Sequence, residues 1–287
     1  MPRMSANGHP WPLPHWRVDL HSKNFEKEKE ATRWDKRRAR QLRNQAAKWK
    51  GKRRERALTL ADLLDPQVTP EAPKSPASSR YMRDQRIRRI GGLWKCVAED
   101  KTGIVARYDV VKPKWSYRVA GLWQIKALQL KREFSADLDR AALNVKPGGA
   151  SECEGFLYAA LHGDFESPRY RYQLHYHVVA TGDWAAVIDK MRNQRGYQSS
   201  SGVKTPIRTR EDLTDLAYAL TYILKTYWPG KWKGHVSGVQ MDRRTRAHRE
   251  IPGRFNCHAL LWQHQQKLDD MIVMRGICGG KDGLRVM

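Results

Sequence analysis

The sequence predicts an α+β protein, because two β-strand candidates joined by a turn are followed by a long amphipathic helix candidate. The strand candidates are residues 155–163 and 171–180, and the segment 164–169 between them holds Asp, Ser and Pro, which favour a turn. The helix candidate spans residues 212–227 and ends at a Pro-Gly pair. The two strands therefore predict a hairpin that precedes the helix along the chain.

Weaker patterns predict further elements on both sides of the hairpin. Alternating polar and apolar residues favour strands, and longer stretches without Pro favour helices. The predictions are two strands, or a strand and a loop, at 103–111 and 114–119, a helix from 121 toward 139, a helix at 183–195 with Asp183 as its N-cap, and a mainly helical segment at 256–274.

The charge of the chain is strongly positive, with 54 Lys and Arg against 30 Asp and Glu, a formal net charge of +24. Such an excess favours a polyanionic partner, first nucleic acid and next an anionic membrane surface. No uninterrupted apolar stretch is long enough to cross a membrane, and the first 20 residues lack the apolar core of a signal peptide. We therefore expect no membrane partner and a cytoplasmic location.

The four cysteines are Cys96, Cys153, Cys257 and Cys278. They lie far apart and form no C-x-x-C pair, which argues against a zinc ribbon and a disulfide framework. We expect buried, reduced thiols.

The proline distribution divides the chain into three parts. Residues 65–80 contain four prolines with Ser and Ala, which is typical of a linker. Residues 1–64 form a basic arm, helical or disordered, and residues 81–287 form the main domain with a helical C-terminal part. The arm presents four arginines to the phosphates of nucleic acid in this interpretation: Arg37, Arg38, Arg53 and Arg54.

Histidines on the predicted hairpin form a candidate metal site. His175 and His177 point to one face of their strand, because side chains alternate along a strand. A turn near Pro168 places His162 opposite His175, so that three imidazoles converge; Asp164 and Glu166 are the alternative ligands if the turn is shifted. An H-x-H pattern also arises by chance on exposed strands, so the spacing alone leaves both interpretations open.

The predicted helix carries a second candidate group. At about 100° per residue, Leu220 and Ile223 fall on one apolar stripe, whereas Tyr218, Tyr222 and Lys225 fall on the opposite side. Tyrosines on helices mostly pack in cores, but these two face away from the stripe that would dock the helix. A lysine one turn from a phenol can stabilise phenolate or contact a phosphate.

The two motifs together resemble the HUH endonucleases, and specifically the initiators of rolling-circle replication. The matching residues are His175-Tyr176-His177 and Tyr222-Ile223-Leu224-Lys225, in the chain order of the initiator and transposase branch. The resemblance covers about residues 150–230. The Tyr218 and Tyr222 pair resembles the two-tyrosine branch. Thr226 stands where many members have a tyrosine after the lysine, which leaves open which tyrosine is the primary nucleophile.

The resemblance implies a central antiparallel sheet flanked by helices and a DNA-nicking reaction. His162, His175 and His177 would hold Mg²⁺ or Mn²⁺, Tyr222 would form a 5′-phosphotyrosine bond, Lys225 would contact the phosphate, and Tyr218 would resolve the adduct. The substrate would be single-stranded DNA or origin DNA, for example of a plasmid. The residues just past the helix suit base stacking and phosphate contact: Trp228, Lys231, Trp232 and Lys233. Tryptophans at these positions are also typical of an ordinary loop and core.

Three further expectations complete this interpretation. The sequence has no G-x-x-x-x-G-K-[ST] motif, so a host helicase and polymerase would act with the protein. A transposase that acts on single strands would use the same chemistry. A non-catalytic, basic nucleic-acid-binding protein is the alternative of a different class, and it would form no covalent adduct.

Overall fold

The computed structural model describes residues 27–198, 205–210, 220, 222–225, 227–231, 249–280 and 283–287. Most of the predicted helix at 212–227 lies outside these ranges, as do Tyr218, Trp232 and Lys233. Among the described residues, no helix is long and apolar enough to span a membrane. The helices are α1 (Glu28–Ala46), α2 (Gly51–Leu64), α3 (Ser79–Glu99), α4 (Ala127–Ala142), α5 (Asp183–Met191) and α6 (Gly253–His264).

The strands form a mixed sheet with helices on its faces, so the protein is α+β. Within the described ranges the strands are β1 (Val105–Arg118), β2 (Leu157–Glu166), β3 (Arg171–Thr181), β4 (Ile207–Arg210), β5 (Pro229–Lys231), β6 (Arg249–Glu250), β7 (Ile272–Arg275), β8 (Ile277–Gly280) and β9 (Gly283–Val286). The main sheet has the order β4-β1-β3-β2-β5-β6, β7 also pairs with β2, and β8 and β9 form a separate hairpin. The sheet was predicted to be antiparallel. This prediction is wrong for β2 and β5, which pair in parallel.

The β2–β3 hairpin has the predicted register. His162 pairs with His175, and the antiparallel ladder continues from Leu157 opposite Ala180 to Glu166 opposite Arg171. A 3-10 turn at Ser167–Arg169 closes the hairpin. Both strands lie inside the sheet and are almost entirely buried.

The two faces of the hairpin pack against different helices. Leu161, Leu174 and Tyr176 belong to the core cluster that includes side chains of α4 and α5. Tyr158 and Val179 belong to the cluster with α3 and with three buried residues from the predicted tyrosine helix, Leu220, Ile223 and Leu224. Because side chains alternate, the three histidines share the face of Tyr158 and Val179.

The N-terminal helices pack against the rest of the protein. Over its described residues, the basic arm that was expected to be helical or disordered forms two helices, and Gly51, at a φ of 57°, begins the second. Apolar side chains of α1 and α2, including Leu42 and Leu60, form a core cluster with Leu260 and Leu261 of α6. Parts of the Pro-rich segment 65–80 are also buried, including Ala77 and Ser78.

Three local predictions need correction. The two expected strands at 103–111 and 114–119 are the single strand β1, with an irregular register between Val111 and Ser116. Asp183 does not cap its helix: Gly182 occupies the N-cap, and the Asp183 carboxylate accepts from the backbone N–H of Glu154. The predicted helical segment 256–274 ends as strand β7, because its last residues pair with β2.

The cysteines are all reduced, and their burial differs. Cys96 and Cys257 are buried as expected, whereas Cys153 and Cys278 are partly exposed. Burial raises the pKa of the Cys96 thiol to about 11, which suppresses its thiolate form.

Asp35 joins α1 to the start of α3, and its removal is expected to destabilise the protein. Its fully buried carboxylate accepts from Ser78 Oγ at 2.7 Å, the Ser79 N–H at 2.6 Å and Arg80 Nε at 3.1 Å. Asp35→Ala leaves the Arg80 cation without its buried counter-charge. We expect urea denaturation to give a loss of about 3 kcal/mol or more in the free energy of unfolding.

Asp62 provides the matched control, because its half-exposed carboxylate pairs with Arg43 on the surface. Asp62→Ala should cost less than about 1 kcal/mol. Equal losses in the two variants would contradict the bridging role of Asp35.

Candidate metal centre and tyrosine site

Three histidines meet on one face of the hairpin. The nearest ligand atoms of His162, His175 and His177 all lie within 4.8 Å of one another. The ring centroids are 5.2 Å apart for His162 and His175, 5.0 Å for His162 and His177, and 4.7 Å for His175 and His177. All three side chains are buried. The hairpin register and the alternation of side chains produce this convergence.

One ring nitrogen of each histidine lies at hydrogen-bond distance from a protein oxygen. His162 Nε2 donates to the carbonyl of Tyr227 at 2.9 Å, His177 Nδ1 donates to Asp109 Oδ1 at 2.8 Å, and His175 Nδ1 lies 3.2 Å from the carbonyl of Gln173. These oxygens accept hydrogen bonds only, so the second nitrogen of each neutral ring keeps its lone pair. The free lone pairs belong to Nδ1 of His162 and to Nε2 of His175 and His177.

Burial keeps the histidines in the form that binds metals. It lowers the pKa of His175 to about 4; Asp164 opposes this shift, and His177 and Lys231 add to it. Burial also lowers the pKa of His162 well below its usual value, reinforced by His177 and His175. Both rings are therefore neutral at physiological pH, as a metal ligand must be.

Two buried carboxylates flank the cluster. Asp109, on β1, lies opposite His177 in the sheet and orients its ring through the 2.8 Å hydrogen bond. Asp164, the alternative ligand in the sequence, has Oδ1 4.0 Å from His162 Nδ1 and pairs with Lys231 through Oδ2. Burial alone would raise the pKa of Asp164. The larger opposite effect of His175, Lys231 and His162 leaves this pKa below its usual value, so that the carboxylate stays ionised.

Tyr222 lies beside the histidines, between two cations. Its ring centroid is 4.8 Å from that of His177, with the rings edge to face. Lys225 Nζ lies 3.3 Å from the centroid of the Tyr222 ring, and the Arg107 guanidinium carbon lies 5.0 Å from it. Cations over an aromatic face are attracted by its electron density, which holds the ring in this position.

Lys225 is less basic than an exposed lysine. Burial lowers its pKa to about 7; Asp164 and Asp109 oppose this shift, and Arg107 reinforces it. Near neutral pH both the ammonium and the amine are populated. Lys225 can therefore exchange a proton or balance a negative charge in this range.

The predicted nucleic-acid contacts separate into exposed and buried residues. Arg37, Arg53 and Arg54 are exposed, and Lys231 is exposed while paired with Asp164. The predicted phosphate contact of Arg38 is wrong, because this side chain is buried and donates to the carbonyl of Ala77 at 2.8 Å.

The prediction that Trp228 stacks on bases is also wrong, because its ring belongs to the core. It is 6% exposed, and its ring centroid lies 5.4 Å from that of Trp262. A Cβ on Gly163 would lie 2.7 Å from the Trp228 ring, so the glycine next to His162 makes room for the indole. Trp228 supports the hairpin rather than offering a face for base stacking.

Asp109 and Arg107 were missing from the sequence interpretation. Both lie on β1, which pairs with β3 only in the tertiary structure; 68 residues separate Asp109 from His177. The alternation Arg107-x-Asp109 places both on one face of a strand, but nothing in the sequence says which strand lies beside them.

Comparison with known proteins gives no relative. No family model, no curated protein and no solved structure matches this chain.

The histidine cluster fits a divalent ion on its own chemistry. His162 Nδ1 and His177 Nε2 are buried nitrogens without a hydrogen-bond partner, which is costly unless an ion or another group takes their lone pairs. Donation from the other nitrogen to a carbonyl or carboxylate is the usual way in which metal-binding histidines are oriented. Imidazole ligands suit Mn²⁺ or Zn²⁺ better than Mg²⁺.

The orientation of His177 by Asp109 can be tested by metal titration. We expect Asp109→Asn to weaken Mn²⁺ binding by about ten- to a hundred-fold, because an amide holds the imidazole less well than a carboxylate. Isothermal titration calorimetry measures the affinity. Asp139→Asn, at an exposed carboxylate paired with Arg275, is the matched control and should bind as the unaltered chain does. Equal affinity in all three proteins would exclude the orienting role.

The buried histidines also predict how stability depends on pH. The unfolded chain protonates His175 near pH 6.5, whereas the folded chain does so only near pH 4. Between these values the unfolded state binds more protons, so the free energy of unfolding falls as the pH is lowered. The contribution of His175 is about 2 kcal/mol between pH 7.5 and pH 5.

Urea denaturation in the presence of a chelator measures this dependence. His175→Gln should make the fall shallower than in the unaltered chain. Parallel pH profiles would contradict the buried, neutral state of His175.

Proposed function

We propose that the protein is a metal-dependent endonuclease that nicks single-stranded DNA through a covalent bond to Tyr222 and so initiates rolling-circle replication. One observation carries the proposal: the Tyr222 ring lies 4.8 Å from that of His177, within a cluster of three buried histidines whose ligand atoms lie within 4.8 Å. A nucleophile beside a cluster that can hold a metal ion is an arrangement that supports phosphoryl transfer to a side chain.

The chain's own groups account for the transfer. The Tyr222 hydroxyl oxygen forms a bond to the phosphorus, and the bond from phosphorus to the 3′ oxygen breaks. The 3′ oxygen takes up a proton and leaves as a hydroxyl, while the 5′ phosphate remains on the tyrosine. The reaction exchanges one phosphodiester for another and needs no oxidant, reductant or nucleotide cofactor. The free 3′ hydroxyl is then available as a primer.

Lys225 and Arg107 assist the tyrosine. Tyrosine is a weak nucleophile near neutral pH, because its phenol is almost fully protonated. The amine form of Lys225 can accept the phenol proton, and Arg107 then stabilises the negative charge on the oxygen. Lys225 Nζ and the Arg107 guanidinium carbon lie 3.3 Å and 5.0 Å from the centroid of the Tyr222 ring, which places both groups beside the tyrosine.

A divalent ion bound to His162, His175 and His177 would polarise the scissile phosphate. The neutral state of the buried His162 and His175 and the hydrogen bond from His177 to Asp109 support this assignment.

The basic surface supports a nucleic-acid substrate. The net charge of +24 favours a polyanion, and Arg37, Arg53 and Arg54 are exposed on the N-terminal helices. A transposase acting on single strands would use the same transfer, so the DNA target decides between the two uses. Tyr218, four residues before Tyr222, would be the second nucleophile in either case.

The covalent intermediate provides the direct test. Purified protein is incubated with Mn²⁺ and a labelled, partly randomised single-stranded DNA library, and adducts are separated on a denaturing gel. We expect an adduct that chelator, His175→Gln and Tyr222→Phe abolish. Tyr117→Phe, which removes a partly buried phenol elsewhere, should retain the adduct. Mass spectrometry of the digested adduct should place the nucleotide on Tyr222.

Other outcomes would change the assignment. An adduct that persists in Tyr222→Phe but is lost in Tyr218→Phe would exchange the two tyrosines. Tight binding of the library with no adduct under Mn²⁺ or Mg²⁺ would contradict the nickase and favour a non-catalytic binding protein.

A further inference from the structure

A groove outside the histidine cluster runs between the end of α1, the turn of the β2–β3 hairpin and the start of α6. Its volume is about 710 Å³, within the usual range for small-ligand sites. Elements far apart in the sequence form its walls. The side chains that matter for its chemistry are Trp49, Arg118, Arg169, Tyr170, Arg254 and Phe255.

Aromatic rings provide its flat surfaces. Tyr170 is 54% exposed, and its ring centroid lies 5.5 Å from that of Phe255. The backbone of Tyr170 has a φ of 49°, in the left-handed region that bulky residues rarely adopt. Trp49, half-buried on the opposite wall, is held edge to face by His258 at 5.1 Å. An exposed aromatic ring on a residue with positive φ costs free energy and does not stabilise the core. Strain of this kind is common at binding sites.

Cations surround the rings. Arg118, Arg169 and Arg254 are exposed, and no carboxylate lines the groove among the described residues. The Arg254 guanidinium carbon lies 4.4 Å from the centroid of the Phe255 ring. Arg254 and Phe255 stand in the first turn of α6, whose backbone N–H groups also favour an anion. Interleaved rings and arginines are what a single nucleic-acid strand requires, for its bases and for its phosphates.

The groove lies at the turn of the hairpin that carries the histidines. Phe255 stacks on Phe165 of β2, with ring centroids 4.6 Å apart, on the face of the sheet opposite the histidines. Tyr170 stands at the turn between the two faces, five residues before His175, which corresponds to about 16 Å along a strand. A strand bound in the groove would therefore have to pass round the hairpin turn to reach the histidines.

We infer that the groove of Tyr170, Phe255, Trp49 and the three arginines is a binding subsite for unpaired bases of single-stranded DNA that flank the nicked phosphate. The inference rests on the proposed function only in naming the strand; the binding itself needs neither the metal nor Tyr222. Duplex DNA does not fit it, because stacked and paired bases offer no free face to the rings.

The affinity of the full chain for a fluorescein-labelled thymidine oligonucleotide tests the subsite. Chelator is present throughout, so that the histidine site does not contribute. Tyr170→Asn removes the ring and keeps a residue that tolerates positive φ, and we expect about ten-fold weaker binding. Tyr170→Phe keeps a stacking ring and should restore the affinity. A duplex of equal length should bind Tyr170→Asn and the unaltered chain equally.

The arginines are tested by salt dependence. Arg254→Ala should weaken single-strand binding and reduce the slope of log affinity against log salt by about 0.7, the change for one phosphate contact. Arg132→Ala removes an equal charge from the exposed side of α4 and should leave the slope unchanged. Photo-crosslinking with an iodouracil-containing oligonucleotide should label the peptides of Tyr170 or Trp49.

Several results would overturn the subsite. Unchanged affinity in Tyr170→Asn, an equal loss on duplex, or crosslinks confined to other peptides would each exclude it. The nickase would stand if the tyrosine adduct still formed. Loss of the adduct with retained groove binding would instead contradict the nickase and leave the subsite intact.

Discussion

The antiparallel register of β2 and β3 is the constraint on which the candidate site depends. His162 faces His175, and His177 lies two residues further along the same face. A slip of one residue would turn the histidines into the apolar core and the leucines toward α3. Apolar packing on both faces opposes such a slip, because Leu161 and Leu174 fit one cluster and Tyr158 the other. The core that stabilises the sheet thus also aligns the three imidazoles.

The electrostatics of the site follow from its burial. Burial lowers the pKa of His162 and His175, so these imidazoles are neutral, whereas His175, Lys231 and His162 hold the pKa of the buried Asp164 below its usual value. Asp109 fixes the ring of His177 through a hydrogen bond. Lys225 is brought near its neutral form by the same burial. One environment thus gives lone pairs for a metal, an anchored ligand ring and a lysine that can carry or release a proton beside Tyr222.

The N-terminal helices α1 and α2 add exposed basic residues to the surface that we propose binds nucleic acid. Their apolar sides pack on α6, and Asp35 of α1 accepts four hydrogen bonds from the start of α3. Trp49, from the segment between α1 and α2, thereby lines the same groove as Tyr170 of the hairpin turn. The same apolar and polar contacts that dock the basic helices thus bring an aromatic wall to the strands that carry the histidines.

The sequence by itself determined two local features, the strands of the hairpin and their register. These depend on the two-residue period of strands and on turn chemistry, which act over a few residues. Only the tertiary structure decided the distant contacts. Asp109 meets His177 across 68 residues, Gly163 admits the ring of Trp228, Arg38 is buried against the Pro-rich segment, and β5 joins β2 in parallel. Such pairings depend on how the whole chain buries its apolar surface and satisfies its polar groups, and no local pattern encodes that balance.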